Sequence, residues 1–600
     1  MDIFFLRSFW GLFYLTFLTG FVLIRILKYE SSILRELLVS FGLSLLINYT
    51  FSYLLGIFKL LSPTPYFIFS FICLFLLILI IFKEKERFKK NLLIISSSLF
   101  MLIFLWFLNQ FIAKSGSIPW GGDDILGWNS WAMNWYLNNP TLSQSGFYPQ
   151  MLPITFATSY FFSGTEKIFF FSRSIMPYFF FGIILFGFDN LIQKKTSWSF
   201  WGFLSLFWLF IVWREYPRMT QGLADIPSAF LAFSSFMVLL ETRNKIENKN
   251  LSYGISILLA TSSALTKQYG AIYYAGFFLI LTIFLIKDYL EIKSEKNIFD
   301  FKGLLIFVSI SFLLLGSWYL YSFIVHKYIS DPLSYFASGP FLDYKYNLLK
   351  THDNSNNFLH TFGMLSGYFK SPFIFILLSI LAILGVLVWP FGLVLFLIII
   401  PAYLLWTFFI AYSIRNFSIG LLFFIYQSGI GLSYVFDKLK IKINFNFVDR
   451  LTTIENFLSK SKIVYPIFAI AILIIFAFNI NYTKEKLTKK QTERMKLYLG
   501  NHRDVNKILY DYLKNNSDVI VFTDYPFIRF MPELTYIENS LTNLNDIKNV
   551  IKTNSKGIFL ILTGFPQTHI SEECDKFLKT NKNLKEVARS QNGYIIEWKN

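Results

Sequence analysis

Charge is what this chain has least of: only 15% of its 600 residues are Asp, Glu, Lys or Arg. A soluble domain uses about 25% charged residues to cover its surface, so this sequence cannot clothe a water-facing globule of its size. Cysteine is almost absent. Cys73 falls inside an apolar run and Cys574 near the C-terminus, which predicts no internal disulfide and offers no cysteine cluster for a metal. The first apolar run, 4–24, lacks a small-residue cleavage site and is soon followed by another, so it reads as a retained helix rather than a signal peptide. No internal repeat or low-complexity linker stands out.

What is there is apolar and aromatic. Hydrophobic residues make up 54% of the chain, with 73 Phe, 34 Tyr and 14 Trp, and the mean hydropathy is +0.50. Apolar runs recur from Phe4 to Ile480, each near the roughly 20 residues a helix needs to cross hydrocarbon. Lipid accepts only helices or closed barrels, and continuous rather than alternating runs select helices. The expected fold class is therefore an α-helical polytopic membrane protein of about fourteen transmembrane helices, with a small C-terminal α/β domain. The expected spans are 4–24, 37–58, 66–82, 92–112, 167–192, 198–213, 226–240, 251–266, 271–286, 304–325, 373–389, 391–411, 417–436 and 463–480.

The net charge of +18 reads as topology, not as affinity for nucleic acid. Alternating the spans puts the clusters around Arg25 and Arg35, Lys83–Lys90, Lys194, Arg243–Lys249, Lys287–Lys296 and Lys438–Lys462 on one side, which the positive-inside rule makes cytoplasmic. The other face receives 113–166, 214–225, 326–372 and everything from Asn481 onward. The tail opens with Lys484, Lys486, Lys489 and Lys490, yet long domains translocate largely regardless of charge. The expected organisation is a transmembrane domain over 1–480 and an extracytoplasmic α/β domain over 481–600, in the cell membrane. Strands are expected at 519–523, 558–563 and 594–598, with helices at 505–514 and 574–578. This tail carries no glycine fingerprint and no convincing catalytic set, so it reads as a stabilising or acceptor-docking module.

Chemistry is expected in the external segments. In Gly121-Gly122-Asp123-Asp124 two acids precede a helix, on which Trp128, Trp131 and Trp135 recur at i, i+3, i+7 and share one face. A Trp face suits the headgroup layer, which predicts a helix lying on the membrane surface with Asp123 and Asp124 just above it. One acid could simply cap the helix; capping leaves the other for chemistry. Tyr148-Pro149-Gln150-Met151-Leu152-Pro153 opens an apolar stretch too short to cross, expected as another surface helix. Asp225, with Pro227 after it, begins a span, where capping competes with function. Arg214 and Arg218 stand on the side where positive charge is least expected. Lys267 lies between two apolar runs with almost no loop, either snorkelling or functional. Arg415 is the only charge between Lys370 and Asp437 and could pair with a phosphate. His326, His352 and His360 share the loop 326–372 without tight ligand spacing, so metal binding stays an open possibility.

Taken together these segments resemble the GT-C superfold of membrane glycosyltransferases, and within it the bacterial family 39-like branch related to protein O-mannosyltransferases and lipid A aminoarabinose transferases. The resemblance rests on Asp123-Asp124, the Trp128–Ala132 stretch, Tyr148-Pro149 with Pro153, Ala224-Asp225-Ile226-Pro227, Thr266-Lys267 with Gly270, and Arg415-Asn416, in that order over residues 115–420. It implies inverting transfer of a sugar from a polyprenyl-phosphate carrier to an acceptor hydroxyl of a glycan, lipid or protein at the outer membrane surface. On this chain Asp123 or Asp124 would be the general base, Asp225 would support the site, and Lys267 and Arg415 would neutralise the departing phosphate. Tyr148, Trp128, Trp131 and Arg218 would line the substrate site. The chain departs from the family in having three spans before the usual first helix, and in Tyr148–Pro153 standing where the aminoarabinose branch has Lys-Pro-Pro-Leu; sugar identity and a divalent metal stay open. The main alternative is a transporter or flippase of a lipid-linked saccharide, which would place charge in mid-helix and break helices in paired halves. A non-catalytic assembly subunit is a third.

Overall fold

A computed structural model of the chain describes residues 3–87, 127–138, 148–165, 170–212, 222–242, 249–293, 301–325, 357–409, 413–441, 443, 445, 503–514, 516, 519–523, 536–538, 544–562 and 571–599. They fall into two compact units, one of apolar helices and one holding a C-terminal mixed sheet.

The helical unit follows the apolar runs. Helix α1 runs Ile3–Phe13, widens into a π turn over Tyr14–Leu18 and continues over Thr19–Ile26. Helix α2 (Ile33–Ile57) starts where the Ser32 side chain accepts from the Arg35 amide, and α3 (Pro63–Lys83) starts on a proline, which needs no amide partner in a first turn. Then come α4 (Ser130–Tyr136), α5 (Met151–Ser163), α6 (Met176–Lys194), α7 (Ser197–Val212), α8 (Asp225–Thr242), α9 (Lys249–Thr266), α10 (Gln268–Lys293) and α11 (Phe301–Val325). The set closes with α12 (Asn357–Tyr368), α13 (Pro372–Leu384), α14 (Phe391–Val394, a π turn over Leu395–Ile399, then Ile400–Phe409) and α15 (Ser418–Lys438).

Nine described helices are long and apolar enough to cross a membrane, or up to ten if the pair Phe358–Tyr368 and Pro372–Leu387, bent by 103°, is one span. The chain is a multi-pass membrane protein. Expected spans 92–112 and 463–480 lie outside the described residues, so the figure of about fourteen is neither reached nor overturned. Helices α7 and α9 stand at expected spans but are shorter or more polar than the rest. Polarity in α9 serves packing: buried Ser256, Thr261, Ser262 and Ser263 let neighbouring helices approach closely. Ser263 and Ser228 of α8 exchange bonds of 2.9 and 3.0 Å with each other's carbonyls.

Two sequence expectations are corrected here. All thirteen residues of α5 are buried, so it is an interior element and not a surface helix. Thr158 Oγ1 donates to Asn48 Oδ1 of α2 at 3.0 Å, and Phe161 stacks on Tyr66 of α3 at 4.7 Å. Likewise Trp128 and Trp135 are only 6% and 3% exposed. A Cβ on Gly56 would sit 2.7 Å from the Trp135 ring; the tryptophan face packs on protein, not on headgroups.

The C-terminal unit has a five-stranded sheet in the order β2-β1-β3-β5-β4. Its strands are β1 (Ile520–Thr523), β2 (Tyr536–Glu538), β3 (Lys556–Leu562), β4 (Leu584–Arg589) and β5 (Gly593–Lys599). The β2-β1-β3 half is parallel, with Val521 beside Ile558; β5 runs antiparallel to β3 and β4, with Phe559 beside Ile596. Helices α16 (Arg503–Leu513), α17 (Leu544–Thr553) and α18 (Glu572–Thr580) complete it. Phe522, Phe559, Ile547, Cys574 and Trp598 form the core, the Phe559 and Trp598 rings 4.4 Å apart. Both cysteines of the chain are free.

Candidate functional site

Helices α9 and α10 are consecutive in sequence, broken at one residue, Lys267. The break keeps its backbone bonded: Lys267 N donates to Ser263 O at 3.2 Å, and Gly270 N to Lys267 O at 2.8 Å. Gly270 permits this approach, since a Cβ there would lie 2.0 Å from the Ser263 carbonyl oxygen. The result carries the Lys267 side chain inward, where it is 7% exposed.

A buried ammonium needs a counter-charge and acceptors. Lys267 Nζ has both: it forms an ion pair with Asp225 Oδ1 and reaches Asn416 Oδ1 at 3.4 Å. It also stands 5.5 Å from the centre of the Tyr269 ring, a cation–π contact. Asp225, itself 7% exposed, opens α8, and its backbone oxygen accepts from Ser418 Oγ at 3.3 Å. Asn416 lies in the 3₁₀ turn Ile414–Phe417 leading into α15. Residues distant in sequence thus converge at one helix start, one helix break and one turn. Arg415, in the same turn, is half-buried, its Nε donating to Ser413 Oγ at 3.3 Å. Beside this polar knot is a small pocket of about 10 Å³ lined by Tyr269, Ile272, Tyr273, Asn416, Phe417 and Gly420.

A second group of expected residues gathers elsewhere in the helical unit. Trp131 stacks on Tyr148 with ring centres 5.5 Å apart and planes at 30°. Gln150 holds this corner, donating to Tyr148 O at 2.9 Å and accepting from Trp135 Nε1 at 3.1 Å. Trp128, two residues before α4, belongs to the unit that holds the sheet and is buried. Asp123, Asp124 and Arg218 lie outside the described residues, as do His326 and His352; His360 sits half-buried in α12. Among the described residues no three His, Cys, Asp or Glu side chains gather as metal ligands, and the Asp225 carboxylate pairs with the Lys267 ammonium.

Sequence reasoning singled out Asp225, Lys267 and Arg415 but passed over Asn416 and Gln150 as partners. Both were visible as polar neighbours of the chosen residues. It also missed a buried charge network built on Arg35, Asp189 and Glu241, because Arg35 served there only as a topology signal.

No known family profile matches the chain, and no curated protein matches it. Two solved structures align with it: ArnT from Cupriavidus metallidurans in the apo state, at 11% identity and TM-score 0.45, covering 83% of this chain and 97% of that one; and ArnT from Cupriavidus metallidurans bound to undecaprenyl phosphate, at 10% identity and TM-score 0.45, covering 83% and 98%.

Proposed function

We propose that the chain is a membrane glycosyltransferase that moves a sugar from a polyprenyl-phosphate donor to an acceptor hydroxyl. The observation that carries this reading is the buried Lys267–Asp225–Asn416 knot, with Arg415 next to it. Cations at a helix break and in the turn beside it suit the anionic head of a lipid phosphate. Ionisable groups held at membrane depth are commonly functional. Arg415 can meet phosphate oxygens with two parallel hydrogen bonds, and Lys267 can add point charge.

In the proposed step the acceptor oxygen attacks the anomeric carbon from the face opposite the phosphate. The bond from that carbon to the phosphate oxygen breaks, the phosphate leaves with the electron pair, and the configuration inverts. The acceptor proton passes to the carboxylate of Asp123 or Asp124, a contribution of about 10²–10⁴-fold for general-base catalysis. Lys267 and Arg415 meet the charge growing on the leaving phosphate. Asp225 aims Lys267. Trp131 on Tyr148 offers a stacked aromatic surface for the sugar. The site faces the extracytoplasmic side of the cell membrane, where the tail domain also resides.

The test is transfer from defined polyprenyl-phosphate sugars to candidate acceptors by the purified protein and by its Asp123→Asn, Asp124→Asn, Lys267→Ala and Arg415→Ala variants. Loss of about 10²-fold or more in one Asp variant identifies the base. Undiminished transfer in both removes it, and undiminished transfer in Lys267→Ala and Arg415→Ala removes the phosphate site.

A further inference from the structure

The helix ends away from Lys267 hold a second, larger set of buried charges. Asp225 opens α8 while Glu241 lies in its last turn, about 24 Å further along the axis at 1.5 Å per residue. Arg35 spans two partners, with its guanidinium 2.6 Å from Asp189 of α6 and 2.7 Å from Glu241. Arg25, ending α1, sits 3.4 Å from Glu36 of α2 and 3.0 Å from Glu84, which caps α3. Arg87 adds a 2.5 Å pair to Glu36. Ser31 Oγ donates to Glu241 at 2.8 Å, and Ser32 Oγ donates to Asp189. Five helices are therefore tied together at one end by pairs that share members.

Burial decides what such a tie can do. The Arg25, Arg35, Glu36 and Asp189 side chains are at most 3% exposed. A gate that parts in every cycle keeps its charges near water, so that solvent replaces each lost partner. Glu241, Glu84 and Arg87 are 16%, 26% and 30% exposed, but parting α1, α2 or α6 strands Arg25, Arg35 or Asp189 in a low-dielectric interior.

We propose that the five helices joined by the Arg25–Arg35 network stay closed against one another at this end, so that no ligand passes between them. This goes beyond the transfer reaction and does not depend on it.

The experiment is thiol accessibility of a single site behind the network. Val39 is fully buried one turn inside Arg35, and Val39→Cys introduces a smaller side chain. The full-length variant in lipid nanodiscs, both faces exposed, is treated with a water-soluble maleimide; the parent chain gives the background of its own cysteines and Lys514→Cys the exposed rate. We expect Val39→Cys to react at least about 100-fold more slowly than Lys514→Cys, as an interior site with rare local opening should. The rate should not change when a polyprenyl phosphate is added, and Arg35→Met should raise it about tenfold or more. Should Arg35→Met fail to fold, Glu241→Gln, which leaves the Arg35–Asp189 pair in place, takes its role. Fast reaction of Val39→Cys without added lipid, or acceleration by the polyprenyl phosphate alone, would show that this end opens and overturn the proposal. So would a rate unmoved by Arg35→Met and Glu241→Gln. Prolonged labelling samples every spontaneous opening, so the result stands whether or not the polyprenyl phosphate binds.

Discussion

At the scale of single residues, the chemistry turns on how Lys267 is paired inside the protein. Its ion pair with Asp225 is almost fully enclosed, each side chain 9% exposed. Removing one partner of such a pair leaves an uncompensated charge, at a cost of about 3–5 kcal/mol. Lys267→Met should therefore lower the melting temperature strongly in detergent, and Asp225→Asn in the same chain should restore part of the loss. A double variant no more stable than Lys267→Met alone would mean that the pair contributes little. Lys267 was legible in the sequence because a lone cation between apolar runs has few bland explanations. Arg35 was not, since a cation at a helix start near other cations is what the positive-inside rule predicts anyway. Hydropathy places a charge along the membrane normal but does not say whether it faces water or a carboxylate on another helix.

At the scale of elements, periodicity proved informative about faces and silent about neighbours. The i, i+3, i+7 tryptophans marked a face that is indeed covered, but by α2 and the Gln150 corner rather than by lipid. Glycines show the same tightness. Gly270→Ala would drive a methyl onto the Ser263 backbone oxygen, and overpacking of that kind costs about 1–3 kcal/mol. Gly316, where a Cβ would meet nothing within 4 Å, serves as the control. Thermal unfolding of the two alanine variants should separate them clearly, with Gly316→Ala close to the parent. In the tail, the central strands β1, β3 and β5 were legible as buried apolar runs. Strand β4, with its Lys585, Glu586 and Arg589, and the three-residue β2 were not, because short or charged edge strands lack the pattern that identifies interior ones.

At the scale of the whole molecule, the fold class was readable from composition, since a chain this poor in charge can only be satisfied by lipid. The tail answers to different physics. In α16 partial burial pushes the Asp504 carboxyl up, but hydrogen bonds from the Asn592 amide and side chain, 3.0 and 3.1 Å long, hold it below the usual carboxylate range. A value depressed in the folded state gives stability above the unfolded value of about 3.9, lost as pH falls through the folded one. Hydrogen exchange of tail amides should accordingly rise as pH drops below about 4, after correction for intrinsic rates, and Asp504→Asn should flatten that dependence. An unchanged slope in the variant would assign the acid sensitivity to other carboxylates.

The thirteen enclosed residues of α5 also constrain how the protein is made. A segment of that length cannot settle across a bilayer by itself, and its bonds reach back to helices synthesised before it, such as Thr158 to Asn48 and Phe161 to Tyr66. Its final seat is therefore made of helices that the ribosome has already delivered, and α5 owes its place to them rather than to lipid.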